Sequence, residues 1–600
     1  MIQKRKVLAL VVCLMIVGLI ASLTSGCAPS NGDGDGDGDG AVQPQYGGVL
    51  NVYTQADPVG WDDAVGNCPH YNVPGCYQTL WSGDWSKGIA GGYGTKEADW
   101  FIGGDVNRLE TVTGRIADSW ELGEDYITFH LRDGVRWEDR FPTNGREVTA
   151  DDVVVSINRH TEEGAYLRMG YPALAAAMSA SKVDESTVRI DCTAEEMPEL
   201  LSMIDFMYIF PADVIETFGD MNDWERAIGT GPFYVKEYVA GSQTYLEKNP
   251  VYWETNPVVG SPGYGDQLPY LDGVRRLIQP DPSTQDSLFT TGQVDITMVE
   301  YDRAQALITL PGVEYVKWFT SSGKAVICMR TDDEDKPYSD LRVRQALMLG
   351  IDHQKMVDEL YGGEGEYLYW PVSDCKEYHG TYLELEDYPD EPVSGPEAIS
   401  VKDLYTYNPT KAQELLADAG YSDGFKAEIF VWNLPIYIDQ LQVVADMWAD
   451  IGVDLTIKPV DYATISVRMY YRNYEDMMYF GMAGAGTYFK GTEWYGSSMW
   501  NGSYINDPVL NDYRDQMIAA WPDEEEMDSI HRQLLPYLQE QCYVIQTVGW
   551  NTYTIWWPWV KNYSGEGSLG YYKLPNNGFG GLTQYIWIDQ DLKESMGYGD

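Results

Sequence analysis

Only one stretch of the chain is apolar enough to enter a bilayer, and it sits at the start. Val7 to Leu23 is a 17-residue run without a charge, preceded by the cations Lys4, Arg5 and Lys6. It falls short of the roughly 20 residues that a spanning helix needs, and small residues follow it as they do at a cleavage site. Residues 1–26 therefore read as a secretion signal. An uncleaved anchor helix is the other reading, and both leave the bulk of the chain outside the cytoplasm. After Cys27 no apolar run is long enough to cross a membrane, so the rest must fold as a water-facing body. With 44% hydrophobic residues and 13% aromatics it can bury a large core, unlike an acidic disordered chain. At roughly 150 residues per domain, its length calls for more than one structural unit.

The signal ends in Leu23-Thr24-Ser25-Gly26-Cys27, which resembles the bacterial lipobox. The resemblance implies that Cys27 is diacylated, becomes the first residue after cleavage and anchors the chain to a membrane. Gly and Asp alternate from Gly32 to Gly40, so residues 27–45 are expected to form an extended tether. Calcium loops also use Asp-Gly repeats, but no bidentate Glu or regular nonapeptide follows. Of the eight cysteines, Cys68 and Cys76 alone lie close together, flanking a loop with Pro and Asn, and a disulfide is expected there. A metal site on Cys68, His70 and Cys76 has no familiar zinc spacing and lacks a fourth ligand. Cys192, Cys328 and Cys542 lie in apolar segments and are expected as buried thiols.

The charge narrows the partners. Lys+Arg total 41 against 92 Asp+Glu, a net charge of -51, which repels phosphate backbones and argues against nucleic acid. A cationic ligand or a high-salt habitat is compatible with it. Catalytic signatures are missing: there is no Walker A loop, no Gly-x-Ser-x-Gly elbow and no His-Glu-x-x-His. The six histidines are scattered, and so many carboxylates make close acid pairs by chance, so such pairs are no sign of a glycosidase. The run from Gly481 to Gly486 lacks the lysine of a phosphate loop. No catalytic residue, metal or cofactor is expected.

Along the chain, alternating patterns predict strands at 186–192, 233–238, 243–247, 274–279, 325–330, 427–432 and 453–458. Helices are expected at 340–349, 353–361, 410–419, 436–451, 461–472, 507–520 and 523–539, and one from Ala150 to Arg159 with Thr149 as its cap. Irregular alternation without a repeat indicates mixed α/β sheets rather than a solenoid. Gly229 and Gly231 before Pro232 suit a tight turn in a chain passing between lobes. Arg342 and Arg344, on a helix begun by Asp340, are expected to be architectural.

Five blocks occur in order. The first is Ile116 to Glu121, with Thr128 to Trp137 and Thr149 to Val153; the second Gly229 to Phe233, with Leu246 to Trp253. The third is Leu268 to Asp272, with Pro280 to Thr284 and Gly292 to Ile296; the fourth Tyr338 to Leu347, ending at Ile351-Asp352; the fifth Tyr407 to Ala412, with Leu415 to Gly420. Together they resemble the family 5 extracellular solute-binding proteins, the peptide- and nickel-binding components of ABC importers, over nearly all of residues 46–560. The resemblance implies an α/β fold of two lobes: a periplasmic-binding-protein fold with an extra subdomain on the first lobe and mixed sheets joined by crossing hinge strands. It places the first lobe at 46–85, 222–315 and 545–600, its extra subdomain at 86–221 and the second lobe at 316–544. It also implies capture of an organic solute by hinge closure and delivery to an ABC permease in the membrane, by a monomer outside the cytoplasm.

Peptide-binding members pair the peptide α-amino group with an Asp in an Asp-Tyr segment of the second lobe. The corresponding stretch here, Gly481 to Phe489, has no carboxylate; Glu493 is the candidate substitute. Twenty Trp and 45 Tyr suit a pocket that buries organic surface or draws in a cation. By rough alignment the candidate ligand-binding residues are Trp61, Trp81, Trp370, Trp432, Asn433, Tyr488, Glu493 and Trp494. Nickel import is disfavoured, since no histidine cluster marks this set. A secreted hydrolase with an acidic aromatic cleft is the competing reading, and a signalling receptor or surface-layer component on the same scaffold is a third.

Overall fold

Alternation of apolar and polar residues builds the strands of the first lobe. The computed structural model describes residues 43–58, 60–62, 64, 75–91, 98, 109–319, 325–367, 383–395, 398–481, 501–567, 569 and 581–598. Strand β1 (Val49–Thr54) is followed by the short pair β2 (Trp81–Gly83) and β3 (Val112–Gly114). Next come β4 (Ala117–Leu122), β5 (Tyr126–Leu131), β6 (Ser179–Asp184) and β7 (Thr187–Asp191), then β8 (Phe233–Val239), β9 (Gln243–Lys248) and β10 (Gly273–Ile278). They form two four-stranded sheets, β1-β10-β9-β8 and β4-β5-β7-β6. In β5, Ile127, Phe129 and Leu131 are buried while Tyr126, Thr128 and His130 are half-buried, the two-residue period of a strand with one inward face. Helix Ala150–Arg159 starts after Thr149 as expected, with the Thr149 N–H donating to Asp152 Oδ2 at 2.9 Å.

One apolar core runs through residues 50–307 and is completed by 553–588. A second, between 326 and 550, lies on both faces of a single sheet. Strands β11 (Ile296–Glu300), β12 (Glu314–Phe319), β13 (Ala325–Met329), β14 (Gly365–Glu366), β15 (Phe425–Trp432), β16 (Val453–Val460), β17 (Met477–Gly481), β18 (Val544–Gln546) and β19 (Gly549–Trp556) follow in order. β11 and β12 pair antiparallel with β19, and β13 pairs with β18 in the second lobe's sheet. The chain thus passes between the cores from β12 to β13 and back from β18 to β19, through Thr547 and Val548.

The second lobe's sheet has the order β16-β15-β17-β13-β18. β15 is parallel to β16 and β17, and β13 is antiparallel to β17 and β18. Ala427, Ile429 and Val431 of β15 enter the core on one face, and Phe430 packs on the other. Helix Pro435–Asp450 leaves β15 with proline in its first turn and lays Tyr437, Leu441, Val444 and Trp448 on the first face. Helix Tyr462–Tyr470, capped by Asp461 accepting the Thr464 N–H at 2.9 Å, leaves β16 and lays Ile465 and Met469 on the opposite face. The expected helices are present as Leu341–Leu349, His353–Tyr361, Pro409–Asp418, Pro435–Asp450, Tyr462–Tyr470, Pro508–Ala520 and Glu524–Gln541. No helix among the described residues is long and apolar enough to cross a membrane.

Cys76 is a free, fully buried thiol, and Cys68, its expected disulfide partner, lies outside the described residues. The segment around Cys76 is drawn into the first core, where the Cys76 carbonyl accepts the Gly231 N–H at 2.8 Å and the Gly75 carbonyl the Phe233 N–H at 3.0 Å, and burial raises the thiol pKa well above the usual range. Gly229 and Gly231 are not at a crossing between lobes. They sit in the first lobe, where a Cβ at Gly229 would collide with the Cys76 carbonyl and one at Gly231 with the Gly75 carbonyl. Close backbone approach, not hinge freedom, requires these glycines.

Candidate functional site

The topology of the second lobe selects a crevice. β15 and β16 are adjacent and parallel, yet their outgoing helices cover opposite faces of the sheet. At such a switch point the two helices diverge and open a gap beyond the carboxyl ends of the strands, where open α/β sheets bind ligands. The ends here are Trp432 of β15, Val460 of β16 and Gly481 of β17. Trp432 packs against the second core on both faces of the sheet and is half-buried. Its ring lies 4.9 Å from Tyr462 and 6.1 Å from Tyr437. Asn433 is exposed beside it, its N–H donating to the Val460 carbonyl at 2.9 Å. An aromatic shelf with an adjacent amide can stack on flat organic surface and hydrogen-bond its edge.

The same shelf continues to the β18–β19 crossing. Trp550 of β19 lies 5.9 Å from both Tyr361 and Tyr437. Gln440, on the inward face of helix Pro435–Asp450, is fully buried and uses its whole amide. Its Nε2 donates to Tyr361 Oη at 2.6 Å and to the Val548 carbonyl at 2.8 Å, and its Oε1 accepts from Tyr479 Oη at 2.6 Å. Tyr479 Oη also meets Thr547 Oγ1 at 2.6 Å. The crossing backbone is therefore held to the second lobe by neutral hydrogen bonds. Beneath it, buried His353 faces the Gln546 carbonyl at 3.0 Å through Nε2, with Tyr367 and Tyr405 against its ring. Burial lowers its pKa to about 4 despite that hydrogen bond, so it is neutral at ordinary pH.

A further contact spans the two lobes. The turn after helix His353–Tyr361 carries Glu364 onto the first lobe's side of β19. Its carboxylate accepts from Tyr553 Oη and stands 3.4 Å from Lys317 Nζ of β12, and its carbonyl accepts from Asn551 Nδ2 at 3.2 Å. β14 then pairs Gly365 with Trp550 and Glu366 with Gly549. Tyr301, from the first lobe, packs against both cores. Burial, with the nearby Glu364 carboxylate, raises the Tyr553 phenol pKa.

Of the residues expected from sequence, Trp432 and Asn433 come together at the crevice. Trp61 and Trp81 do not: both are buried in the first core, Trp61 edge-on to Tyr238 at 5.2 Å and Trp81 edge-on to Trp120 at 5.0 Å and Phe129 at 5.4 Å. They are structural aromatics, because the strand and loop that carry them turn those rings inward. Trp370, Tyr488, Glu493, Trp494 and the acylation candidate Cys27 lie outside the described residues. Gln440, Tyr437, Tyr479, Trp550 and Glu364 were not anticipated. Gln440 had a signal, a polar residue three positions after Tyr437 on the apolar face of a helix; Glu364 had none. Among the described residues no three His, Cys, Asp or Glu side chains are grouped as a metal would require.

Two α/β lobes joined by crossing strands define the periplasmic-binding-protein fold. The fold is matched by a periplasmic binding protein of Helicobacter pylori solved with the peptide STSA (TM-score 0.70, 19% identity, 91% of this chain and 99% of that one). It is matched equally by a binding protein of A. tumefaciens R10 holding agropinic acid (TM-score 0.70, 19% identity, 90% and 99%). Residues 111–506 match the family described as bacterial extracellular solute-binding proteins, family 5, and the chain belongs to that family. The Dipeptide-binding protein of Escherichia coli K12 is 28% identical over 390 residues, 59% of this chain and 64% of that protein. Heme-binding protein A of Haemophilus influenzae is 27% identical over 376 residues, 58% and 61% respectively. The chain thus spans less than two thirds of the length of these two relatives.

Proposed function

We propose that the protein is the solute-capturing component of an ABC importer: anchored by a lipid on Cys27 outside the cytoplasm, it encloses a solute between its lobes and passes it unchanged to a membrane permease. The carrying observation is the crevice at Trp432 and Asn433 beside a crossing strand held by neutral hydrogen bonds, in a chain of the family 5 solute-binding proteins. The solute class is an oligopeptide or another organic molecule. Relatives named for dipeptides and heme, and a fold neighbour holding agropinic acid, support organic ligands of varied shape. Trp370, Tyr488 and Trp494 would extend the aromatic surface, and Glu493 would take the role of the acid that pairs with a peptide amine. The protein acts as a monomer and has no chemistry of its own.

Native mass spectrometry of protein purified without denaturation, followed by calorimetry on the released compound, tests this. An unmodified organic compound that rebinds is expected, and Trp432→Ala should weaken rebinding by roughly thirtyfold, the loss of one central aromatic anchor. A chemically altered compound, or no loss in Trp432→Ala, refutes the reading. Unchanged affinity of Glu493→Gln for a cationic ligand removes Glu493 from the site.

A further inference from the structure

Where the tethered chain enters the folded body, a built and uncharged tip projects. Thr255 to Gly265 contains no charged residue, in a protein that is 22% charged. The tip is held by hydrogen bonds. Thr255 bridges Gln267, the Asn256 N–H donates to the Asp266 carbonyl at 2.8 Å, and the Gly265 N–H to the Asn256 carbonyl at 3.0 Å. Inside the loop, Asn256 Nδ2 donates to Tyr270 Oη at 3.1 Å, and Asn256 Oδ1 accepts the Val258 N–H at 3.1 Å. Gly260, Gly263 and Gly265 turn the chain at φ values of 84°, 80° and 82°, which favour glycine. This frame keeps Val259 79% exposed and Tyr264 58% exposed.

The entering chain runs alongside. A Cβ at Gly263 would lie 2.9 Å from Pro44 Cγ, and Tyr46 Oη donates to the Gln267 carbonyl at 2.8 Å. Cys27 precedes the first described residue by 16 positions. Even fully extended, those residues reach no more than about 58 Å, so an acyl group on Cys27 keeps the edge at which Gln43 enters, with the tip beside it, within that distance of the bilayer.

We propose that the Val259–Tyr264 tip is a membrane-contact surface that seats in the headgroup region of the bilayer holding the acylated N-terminus. The inference rests on the proposed acylation of Cys27. An aliphatic side chain and a tyrosine on an uncharged loop have the chemistry of the bilayer interface, where an amphipathic ring is stable between acyl chains and water. The carboxylates of Asp266, Asp272 and Asp591 flank the tip and its entering chain, so the favoured surface is zwitterionic lipid. Two side chains are too few to bind a membrane alone; they orient a protein that the lipid already holds there.

The test uses full chain purified from the membranes of a bacterial host and returned to phosphatidylcholine vesicles, with a polarity-sensitive dye on Val259→Cys or, as control, on Val183→Cys, which is 59% exposed in the extra subdomain. The described native cysteines are buried, and unsubstituted protein supplies the labelling background. Vesicles should blue-shift the dye at 259 and shield it from iodide, leave the dye at 183 unchanged, and lose the shift at 259 when Tyr264→Asp is added. An unshifted dye at 259 on protein that floats with the vesicles overturns the contact surface and leaves the anchor standing. Failure to float overturns the anchor itself. Equal shifts at both positions, or a concentration-dependent shift at 259 without lipid, replace the proposal with general adsorption or self-association.

Discussion

Two of the buried polar networks, one in the first lobe and one at the crossing into the second, are built from different chemistry. In the first, Arg115 Nη1 donates to both carboxylate oxygens of Glu254, at 2.8 and 3.0 Å, while Tyr585 Oη donates to Glu254 Oε1 at 2.6 Å and Gln584 Nε2 to Oε2 at 3.1 Å. Trp85 stacks on Tyr585 at 4.1 Å. These bonds join segments separated by up to 470 residues around one buried charge pair. At the crossing, the Gln440 network contains only amides, hydroxyls and backbone. A buried ion pair is costly to break because each charge is stranded in a low dielectric, whereas a neutral hydrogen bond can be exchanged for water at small net cost. Exchanging partners at the crossing is therefore expected to cost less than separating Arg115 from Glu254.

The largest test of that contrast is Glu254→Gln, which leaves Arg115 without its countercharge. A loss of about 3–5 kcal/mol is expected in urea unfolding of the first lobe, with partial recovery on adding Arg115→Met. A loss no greater than that of Gln440→Leu would erase the distinction.

Buried titrating groups sharpen it by pH. In the first lobe Glu138 accepts the Gly229 N–H at 3.0 Å, and burial raises its pKa to about 7, opposed by Arg140. The folded state therefore binds the proton more tightly; this stabilisation is complete below the ordinary carboxyl range and is lost as pH rises through about 7. In the second lobe His353 is depressed to about 4, so its contribution is present above the ordinary imidazole range and is lost as pH falls through about 4. Each amounts to at most about 3 kcal/mol. Unfolding followed by hydrogen exchange should show the first lobe weakening as pH rises from 4.5 to about 7 and the second weakening as pH falls from 6.5 to about 4. Glu138→Gln should flatten only the first slope and His353→Gln only the second; parallel slopes in both lobes would break the assignment.

Gln440→Leu removes the neutral network while keeping most of the volume. It leaves Tyr479, Tyr361 and the Val548 carbonyl to find other bonds, at an expected cost of about 1–3 kcal/mol. Because the loss falls on the crossing, faster exchange at Thr547 and Val548 is expected, with little change around Glu254.

Local features were legible in the sequence wherever cause and effect lie within a few residues. The alternation in Tyr126–Leu131, the cap at Thr149 and the proline opening helix Pro435–Asp450 act locally and appear where expected. Trp81 and Trp432 show the limit. Both lie at a strand end next to small or polar residues, yet one is core and the other edges the crevice, because burial is decided by which distant strand lies alongside. Gly229 suggested a turn, but its requirement comes from the Cys76 backbone 153 positions away, a proximity that spacing cannot convey. Glu364 is similar: its contacts with Lys317 and Tyr553 exist only after β12, β14 and β19 have assembled.

Glu364 supplies the smallest and most specific test. Its carboxylate and Lys317 are both partly exposed, with 34% and 44% of their side-chain surfaces open to solvent. Screening therefore limits the pair to about 0.2–1 kcal/mol, too little to hold a lobe shut but enough to bias an equilibrium between two lobe positions. Glu364→Gln can retain an acceptor for Tyr553 but loses the attraction for Lys317. Ligand-free protein should then scatter X-rays as a different mixture of lobe separations at low salt. The difference from the parent protein should fade near 1 M salt, where the Debye length drops to about 3 Å. Identical low-salt profiles would show that the crossing strands alone set the resting position, and that the contact across β12, β14 and β19 follows hinge motion without steering it.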